Sequence, residues 1–366
     1  MAFERKYMER AIELAKKGIG AVDPNPLVGA VIVKDGRIIG EGYHHKYGDL
    51  HAERDAFASL TESAEGAEMY VTLEPCCHQG KQPPCTEAIV EHKIKRVYVG
   101  SDDPNPLVSG KGIWYLREKG VEVFTHAMKE ECDEINRVFF HFITTSTPYV
   151  VLKYAMTMDG KIATRTKKSR FITNEASRNK VQVIRNELPA IMVGIGTVLE
   201  DDPLLTCRLE NGRNPIRIVC DSNLMIPLKS KLVTTAKQVR TFVAATESVK
   251  ETKRDKMKRL ESLGVGVLLI PEKDGHLDLS ILMEKLGLMK INAILLEGGG
   301  TLAWGMLKEG LVQEVRTFTA PKIFGGKDAK TPVEGEGVAE VSSAALGELV
   351  ELEAIDGDIY ARYLLK

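Results

Sequence analysis

EPCCHQGKQPPC, residues 74–85, places three cysteines and a histidine within twelve positions. The reading of this stretch decides the fold of the first half of the chain. Upstream stands His51-Ala52-Glu53, and the joined pattern is H-x-E followed by Pro75-Cys76 and, after eight intervening residues, Cys85. Zinc is tetrahedral and takes imidazole and thiolate readily, and a catalytic zinc uses three protein ligands and leaves the fourth position to water. His51, Cys76 and Cys85 supply three. Glu53, two residues past His51, is then free to stand beside the bound water as a proton carrier.

The alternatives differ in chemistry. A structural zinc needs a fourth ligand, for which Cys77 and His78 are the candidates. Cys77 neighbours Cys76, so its side chain is expected to point elsewhere, whereas His78 is harder to dismiss. A zinc-protease reading fails because HAERDAF lacks the second His of H-E-x-x-H. Inert thiols without a metal are the remaining alternative. A disulfide framework is disfavoured: the six cysteines (Cys76, Cys77, Cys85, Cys132, Cys207, Cys220) are few for 366 residues and half of them are dispersed. The H-x-E and P-C pair together match the zinc nucleobase deaminases, whose usual cysteine spacing is the shorter C-x-x-C.

The rest of the chain sets bounds. Its length favours two domains, and 43% hydrophobic with 28% charged residues is a globular composition. The opening MAFERKYMERAIELAKKG is charged and amphipathic, without the apolar core of a signal peptide, and no stretch reaches membrane-spanning length. The cytoplasm is the expected compartment. A formal net charge of −1 disfavours a polynucleotide partner and favours a small-molecule substrate.

Periodicity predicts a helix over 3–17, a hairpin turning at Lys34-Asp35-Gly36, and a helix opening at His51. Further elements follow: a buried strand in EMYVTLE, a helix in PPCTEAIVEH, a strand in KRVYVG, a helix in LREKG, a strand in VEVFT and one helix through EECDEINRVFFHF. ITTSTP, residues 143–148, reads as a linker, and the boundary is placed at residue 146. Past it strands and helices alternate again: YVVLKYAM, EASRNKVQVIRNEL, AIMVGIG, IRIVCDS, RTFVAAT, KRDKMKRLESLG, GVLLI, NAILLEGGG and VRTFTAPKIFG. A terminal hairpin turns on Gly357. Both halves are therefore α/β. DPNPLV occurs at 23–28 and again at 103–108. It reads as two similar turns, not as a duplicated domain.

PNPLVGAVIV, HAE and TLEPCCHQGKQPPC together resemble the N-terminal half of the bifunctional riboflavin-biosynthesis deaminase/reductase family, and the resemblance continues to the end of the chain. The long insert between the cysteines is that family's hallmark. Cys77 departs from its usual Ser or Asn, and Gln82 from its usual Thr. The resemblance implies a cytidine-deaminase-like α/β/α layered domain over 1–146. There zinc-assisted hydrolysis would remove an exocyclic amine from 2,5-diamino-6-(phosphoribosylamino)pyrimidin-4-one. It implies His51, Cys76 and Cys85 as metal ligands, Glu53 as the catalytic proton carrier, and Asn25, His44, His78 and Lys81 as substrate contacts.

For the second half, LKYAMTMDGKIAT, TVLEDDPLLTCR and LLEGGGTLAWGML carry the resemblance. No G-x-G-x-x-G follows a strand and no G-K-[ST] follows the glycines, so neither a Rossmann nor a Walker A reading is supported. Three glycines between a buried strand and a helix suit an anion, because N–H groups at a helix start point outward. The resemblance implies a dihydrofolate-reductase-like domain over 147–366 that uses NADPH to reduce the ribosyl group to ribityl. Met156, Phe171, Thr197, Asp201, Ser222 and the run Gly299, Gly300, Thr301, Leu302, Ala303, Trp304 and Gly305 would contact the cofactor. Lys153, Ser169, Arg185, Leu205, Arg208 and Glu297 would contact the substrate. Lys153 and Asp159 share one strand-and-turn segment, and a part in protonation or orientation is expected of them. The sequence leaves a dimer or tetramer open. The competing readings are a nucleoside or polynucleotide deaminase with an unrelated C-terminal nucleotide-binding module, and a zinc-stabilised nucleotide sensor without turnover.

Overall fold

The computed structural model describes residues 3–79, 82–106 and 108–366, and the chain divides into two units, Met1–Ser146 and Thr147–Lys366. The first contains α1 (Arg5–Lys16), β1 (Gly29–Lys34), β2 (Arg37–Tyr43), α2 (Ala52–Ala58), β3 (Glu68–Leu73), α3 (Cys85–Glu91), β4 (Arg96–Ser101), α4 (Lys111–Glu118), β5 (Glu122–Phe124), α5 (Lys129–Ile135) and α6 (Arg137–Thr145). Its sheet has the order β2-β1-β3-β4-β5, antiparallel on both sides of β1 and parallel from β3 to β5.

Side chains alternate across a strand, so a strand covered on both faces feeds two cores. Ala30 and Ile32 of β1 pack with Ala52, Ala56, Ile89 and Leu116 from α2, α3 and α4. Val31 and Val33 pack with Met8, Ile12 and Cys132 from α1 and α5. The result is three layers. Gly42 of β2 lets α2 lie directly on the sheet: a Cβ there would meet Ala56 N at 2.2 Å and Ala52 O at 2.4 Å. That contact sets the height of α2, and with it of His51 and Glu53 at its start.

Two expectations need correction. EECDEINRVFFHF is not one helix: it breaks at Asn136, between α5 and α6. The Asn136 amide is buried, and it takes Leu27 N–H at 2.8 Å and gives to Leu27 O at 2.9 Å. A distant loop therefore overrides helical periodicity there. The first half of ITTSTP is helical, since α6 runs to Thr145 and ends at Ser146 in the left-handed conformation (φ 61). The hydroxyls of Thr144 and Thr145 donate to carbonyls one turn back, at Phe140 and His141, which satisfies the hydroxyls inside the last turn of the helix.

The second unit contains β6 (Tyr149–Thr157), α7 (Glu175–Glu187), β7 (Ala190–Gly194), α8 (Ile195–Asp201), β8 (Ile216–Cys220), α9 (Lys231–Thr234), β9 (Thr241–Thr246), α10 (Val249–Thr252), α11 (Arg254–Ser262) and β10 (Val265–Ile270). A small hairpin of β11 (Glu272–Lys273) and β12 (His276–Leu277) follows. Then come α12 (Leu279–Leu288), β13 (Ala293–Glu297), α13 (Gly300–Lys308), β14 (Glu314–Ala320), β15 (Gly347–Ile355) and β16 (Asp358–Leu365). The sheet order is β10-β9-β8-β7-β13-β6-β14-β16-β15, parallel up to β14 and antiparallel beyond it. The β11–β12 hairpin and α12 lie outside the elements expected from periodicity. No helix among the described residues is long and apolar enough to cross a membrane.

Arg217 on β8 is wholly buried, and no carboxylate among the described residues bonds to it. Burial lowers its guanidinium to about 10, which still leaves it charged at neutral pH. Its donors go instead to Thr241 Oγ1, Thr235 Oγ1 and the carbonyls of Leu204, Leu232 and Val239. The contact to Leu204 pins the loop after α8 to the sheet. Arg217→Met leaves buried carbonyls without donors and is expected to cost about 3 kcal/mol of stability in urea unfolding.

Candidate active sites

His51 is the residue before α2, Cys76 follows β3 after Glu74-Pro75, and Cys85 opens α3. Their donor atoms converge. His51 Nδ1 lies 3.5 Å from Cys76 Sγ and 3.4 Å from Cys85 Sγ, and all three donors fall within 4.8 Å of one another. For zinc at about 2.3 Å from sulfur and 2.0–2.1 Å from nitrogen, a tetrahedron has an S···N edge of about 3.5 Å. The observed separations match that edge, so the donor set fits zinc.

Electrostatics agree. The Cys76 thiol is lowered to about 4 because Cys85 and His51 donate to it, and the Cys85 backbone N–H, at 3.4 Å, adds to this. Cys85 is pushed up by the same neighbouring sulfur and by burial. Two adjacent sulfurs resist both ionising unless a cation joins them. Cys77 and His78 are not among the three clustered donors. The Cys77 thiol is raised by burial, as expected of a spare thiol. Cys77→Ser is expected to keep both zinc content and deamination within about twofold of wild type, by metal assay and ammonia release.

Glu53 is buried on the first turn of α2 and is not part of the three-donor cluster. Its carboxyl hydrogen-bonds with Cys85. Burial, followed by the Cys76 charge, pushes it up to about 7, near the value that suits a proton carrier at neutral pH. His44 Nδ1 lies 2.9 Å from Leu50 O, which only accepts, so Nδ1 carries the proton. Nε2 then accepts from Asn25 Nδ2 at 3.0 Å. Burial lowers His44 and keeps it neutral, and its ring stands edge-on to His51 at 5.8 Å. His78 Nδ1 is buried and has no hydrogen-bond partner in the structure. Lys81 lies outside the described residues.

Three supports were not expected from sequence. Glu74 accepts from Gly110, Gly112 and Ile113 N–H at the start of α4, which fixes the strand leading into Cys76. Arg54 donates to Pro83 O and Pro84 O, tying α2 to the approach of Cys85. Asp103 opens the second DPNPLV, where burial raises its carboxyl to about 6 and His78 and Cys76 act on it electrostatically. The repeat was the available signal: one copy carries Asn25, and β4 returns the other to the cysteines.

In the second unit, a cavity of about 1130 Å³ is lined by Lys153, Ser169, Thr197, Asp201, Ser222, Glu297, Gly299, Gly300, Thr301, Leu302, Trp304 and Gly305. Gly298 (φ 67) and Gly299 (φ 84) make the turn between β13 and α13, a conformation that excludes most side chains. Gly299, Gly300 and Thr301 at the start of α13 line the cavity, and the N–H groups of a helix start suit a dinucleotide pyrophosphate. The cavity and this cradle fit a phosphate-bearing dinucleotide.

Beneath the cavity, Arg185 makes a two-pronged ion pair to Glu297, at 3.2 and 2.6 Å, and Lys153 Nζ lies 3.6 Å from the same carboxylate. Burial alone would raise Glu297, but the two cations more than offset it and hold it down at about 2. Burial lowers Lys153. Ser169 Oγ donates to Asp201 at 3.3 Å. Other expected residues do not line the cavity. Met156 is half-buried on β6 and Ala303 is buried in α13. Leu205 is buried with φ 51, and Arg208 is exposed. Phe171 is 70% exposed, with the Arg178 guanidinium 5.0 Å from its ring centre. Asp159 is taken up by Thr157 Oγ1 and the Phe324 and Gly325 N–H groups, so it braces a turn and is not available for protonation.

Residues 148–361 match the family model described as the RibD C-terminal domain, and residues 1–101 match the cytidine and deoxycytidylate deaminase zinc-binding region. The chain is 49% identical over 359 residues to riboflavin biosynthesis protein RibD of Actinobacillus pleuropneumoniae, covering 98% of this chain and 94% of that one. It is 38% identical over 366 residues to the Escherichia coli K12 protein of the same name, covering 96% and 97%. Among solved structures, RibD of Acinetobacter baumannii superposes with a TM-score of 0.87 at 35% identity over 99% of this chain and 98% of that one. The diaminohydroxyphosphoribosylaminopyrimidine deaminase/5-amino-6-(5-phosphoribosylamino)uracil reductase of Thermotoga maritima gives 0.86 at 38% identity, with the same coverage.

Proposed function

The chain belongs to the RibD family of bifunctional riboflavin-biosynthesis enzymes, and from that premise we propose that residues 1–146 perform its zinc-dependent hydrolytic deamination and residues 147–366 its NADPH-dependent reduction. The substrate is a phosphorylated pyrimidine: the exocyclic amine of 2,5-diamino-6-(phosphoribosylamino)pyrimidin-4-one is hydrolysed, and the ribosyl group is then reduced to ribityl.

His51, Cys76 and Cys85 hold the zinc, which when bound supplies Lewis acidity that makes water a nucleophile near neutral pH. Glu53 moves the protons. Ionised, its carboxylate takes one from the attacking water; protonated, it returns one to the ring nitrogen and then serves the departing ammonia. Burial keeps the two forms close in energy at neutral pH. Asn25 holds the pyrimidine edge through the amide oxygen that its bond to His44 leaves free, and neutral His44, held by Leu50 O, fixes the orientation of that amide. His78 and Lys81 receive the phosphorylated tail, with the buried Nδ1 of His78 as the donor awaiting a partner. Glu74 and Arg54 position the two cysteine segments.

In the second unit NADPH, when bound, would supply a hydride to C1′ of the ring-opened imine, whose C=N bond becomes a single bond as the nitrogen takes a proton. Thr197, Asp201, Ser222, Gly299, Gly300, Thr301, Leu302, Trp304 and Gly305 hold the cofactor, whereas Met156, Phe171 and Ala303 stand outside the cavity lining. Glu297 orients Lys153 toward the sugar, Ser169 lies on the substrate side and Arg185 acts through Glu297, while Leu205 and Arg208 stand outside the lining. Lys153 and Glu297 are paired across β6 and β13, so the sheet itself sets their spacing. A cytoplasmic location accompanies this reading, because free cysteines are kept reduced there.

The observation that carries the reading is the three-donor cluster with S···N separations of 3.5 and 3.4 Å beside a buried Glu53. Chelating the metal from the full chain tests it. Ammonia release from the diaminopyrimidine should stop while reduction of the deaminated product continues. Loss of both activities together, or turnover of cytidine in place of the phosphoribosylamino-pyrimidine, would contradict it.

A further inference from the structure

NADPH differs from NADH by a 2′-phosphate, a dianion whose recognition requires a cation or donors where the adenosine lies. Its location follows from the strand order, given the assignment of the cavity to NADPH above. Lys153 and Glu297 stand side by side on β6 and β13, and the substrate must meet the nicotinamide there. The glycine turn after β13 takes the pyrophosphate. The adenosine therefore lies farther along the parallel strands, past Gly194 at the end of β7 and Ser222 just beyond β8, toward β9 and β10. Four strand steps separate β13 from β10, about 19 Å at the usual spacing. The cavity lining continues over that distance, from Lys153 to the β11–β12 hairpin.

Among the described residues, the lysines lining the cavity are Lys153, Lys167, Lys273, Lys308 and Lys330. Lys153 is committed to Glu297. Lys167 and Lys330 belong to the β6 end: Lys167 sits in the turn after that strand, and Lys330 O accepts from Ile162 N–H. Lys308, the last residue of α13, is paired with Glu336 at 3.3 Å and is not on the hairpin that packs over β9. Lys273 lies on the hairpin that packs over β9, whose end is bonded to the Ser222 carbonyl through Thr246 N–H. Glu309 is the one nearby carboxylate it touches, at 3.1 Å, and Ser280 Oγ also donates to that carboxylate at 2.8 Å. Asp274 and Asp278 act on Lys273 only electrostatically, so with Glu309 as its one partner at hydrogen-bond distance the ammonium keeps further N–H donors.

We propose that Lys273, on the β11–β12 hairpin, reads the 2′-phosphate and gives the reductase its preference for NADPH over NADH. The test uses the full chain carrying Lys273→Ala, with ammonia release as the control for an intact first site. The KM for NADPH should rise roughly tenfold or more, that for NADH should stay within about twofold, and kcat with either cofactor should hold. Adenosine 2′,5′-bisphosphate should compete with NADPH better than 5′-AMP does in wild type, and the variant should lose that difference. Lys273→Arg should restore it. An equal rise for both cofactors, or no change for either, removes the role of Lys273 alone. A wild-type enzyme in which neither nucleotide competes with NADPH removes the cavity assignment as well.

Discussion

Glu53→Gln should abolish deamination, lowering the rate by roughly 10⁴-fold, while zinc content stays at about one per chain. Glutamine fills the same space and keeps a polar contact, but it neither takes a proton from water nor returns one. General acid–base catalysis is worth about 10² to 10⁴ in rate, and the upper end applies because one carboxyl serves both attack and departure of ammonia. The buried site offers no substitute: Glu53 is not one of the three clustered donors, and its burial shuts out bulk solvent as an alternative proton carrier. Metal analysis and ammonia release on the same preparation decide the matter. Loss of zinc in the variant would make Glu53 a ligand, and retained turnover would return the site to a nucleotide sensor. Reduction of the deaminated product should be unchanged.

Glu297→Gln is the counterpart in the second unit. Arg185 and Lys153 both point at this carboxylate with side chains only 13% and 12% exposed, so its loss leaves two buried cations without a counterion. Breaking a buried pair by removing one partner costs about 3–5 kcal/mol. We expect that loss in urea unfolding, together with a fall in reduction of at least an order of magnitude, since Lys153 loses the group that orients it. The pH dependence has a definite sign. Glu297 is held below its ordinary value, so its contribution is complete above 4.5 and is lost as pH falls toward about 2. The stability gap between wild type and variant should close over that acid interval. A variant as stable as wild type at neutral pH would mean that the two cations find other partners.

Legibility in the sequence tracked how local each constraint is. The zinc donors were readable because zinc restricts residue type and number, and because Pro75-Cys76 and His51-x-Glu53 are short patterns. The layered fold was readable because buried strands such as Ala190–Gly194, AIMVG, are continuous apolar runs. Helix ends were less so. Asn136 breaks a helix that periodicity would continue, because its amide is claimed by Leu27, 109 residues away. The β11–β12 hairpin was not readable, since two-residue strands carry no period.

The sequence by itself determined the chemistry of the first site and the α/β character of both halves, since residue type and near-neighbour spacing carry that information. Only the tertiary structure decided which charges are available. Arg185, readable as a phosphate binder, is committed to Glu297, and Asp159 is committed to a turn. It also brought Asp103 beside the cysteines and set Lys273 in the lining of the second unit's cavity. An ionisable side chain acts according to its partners and burial, and both come from segments distant in the chain.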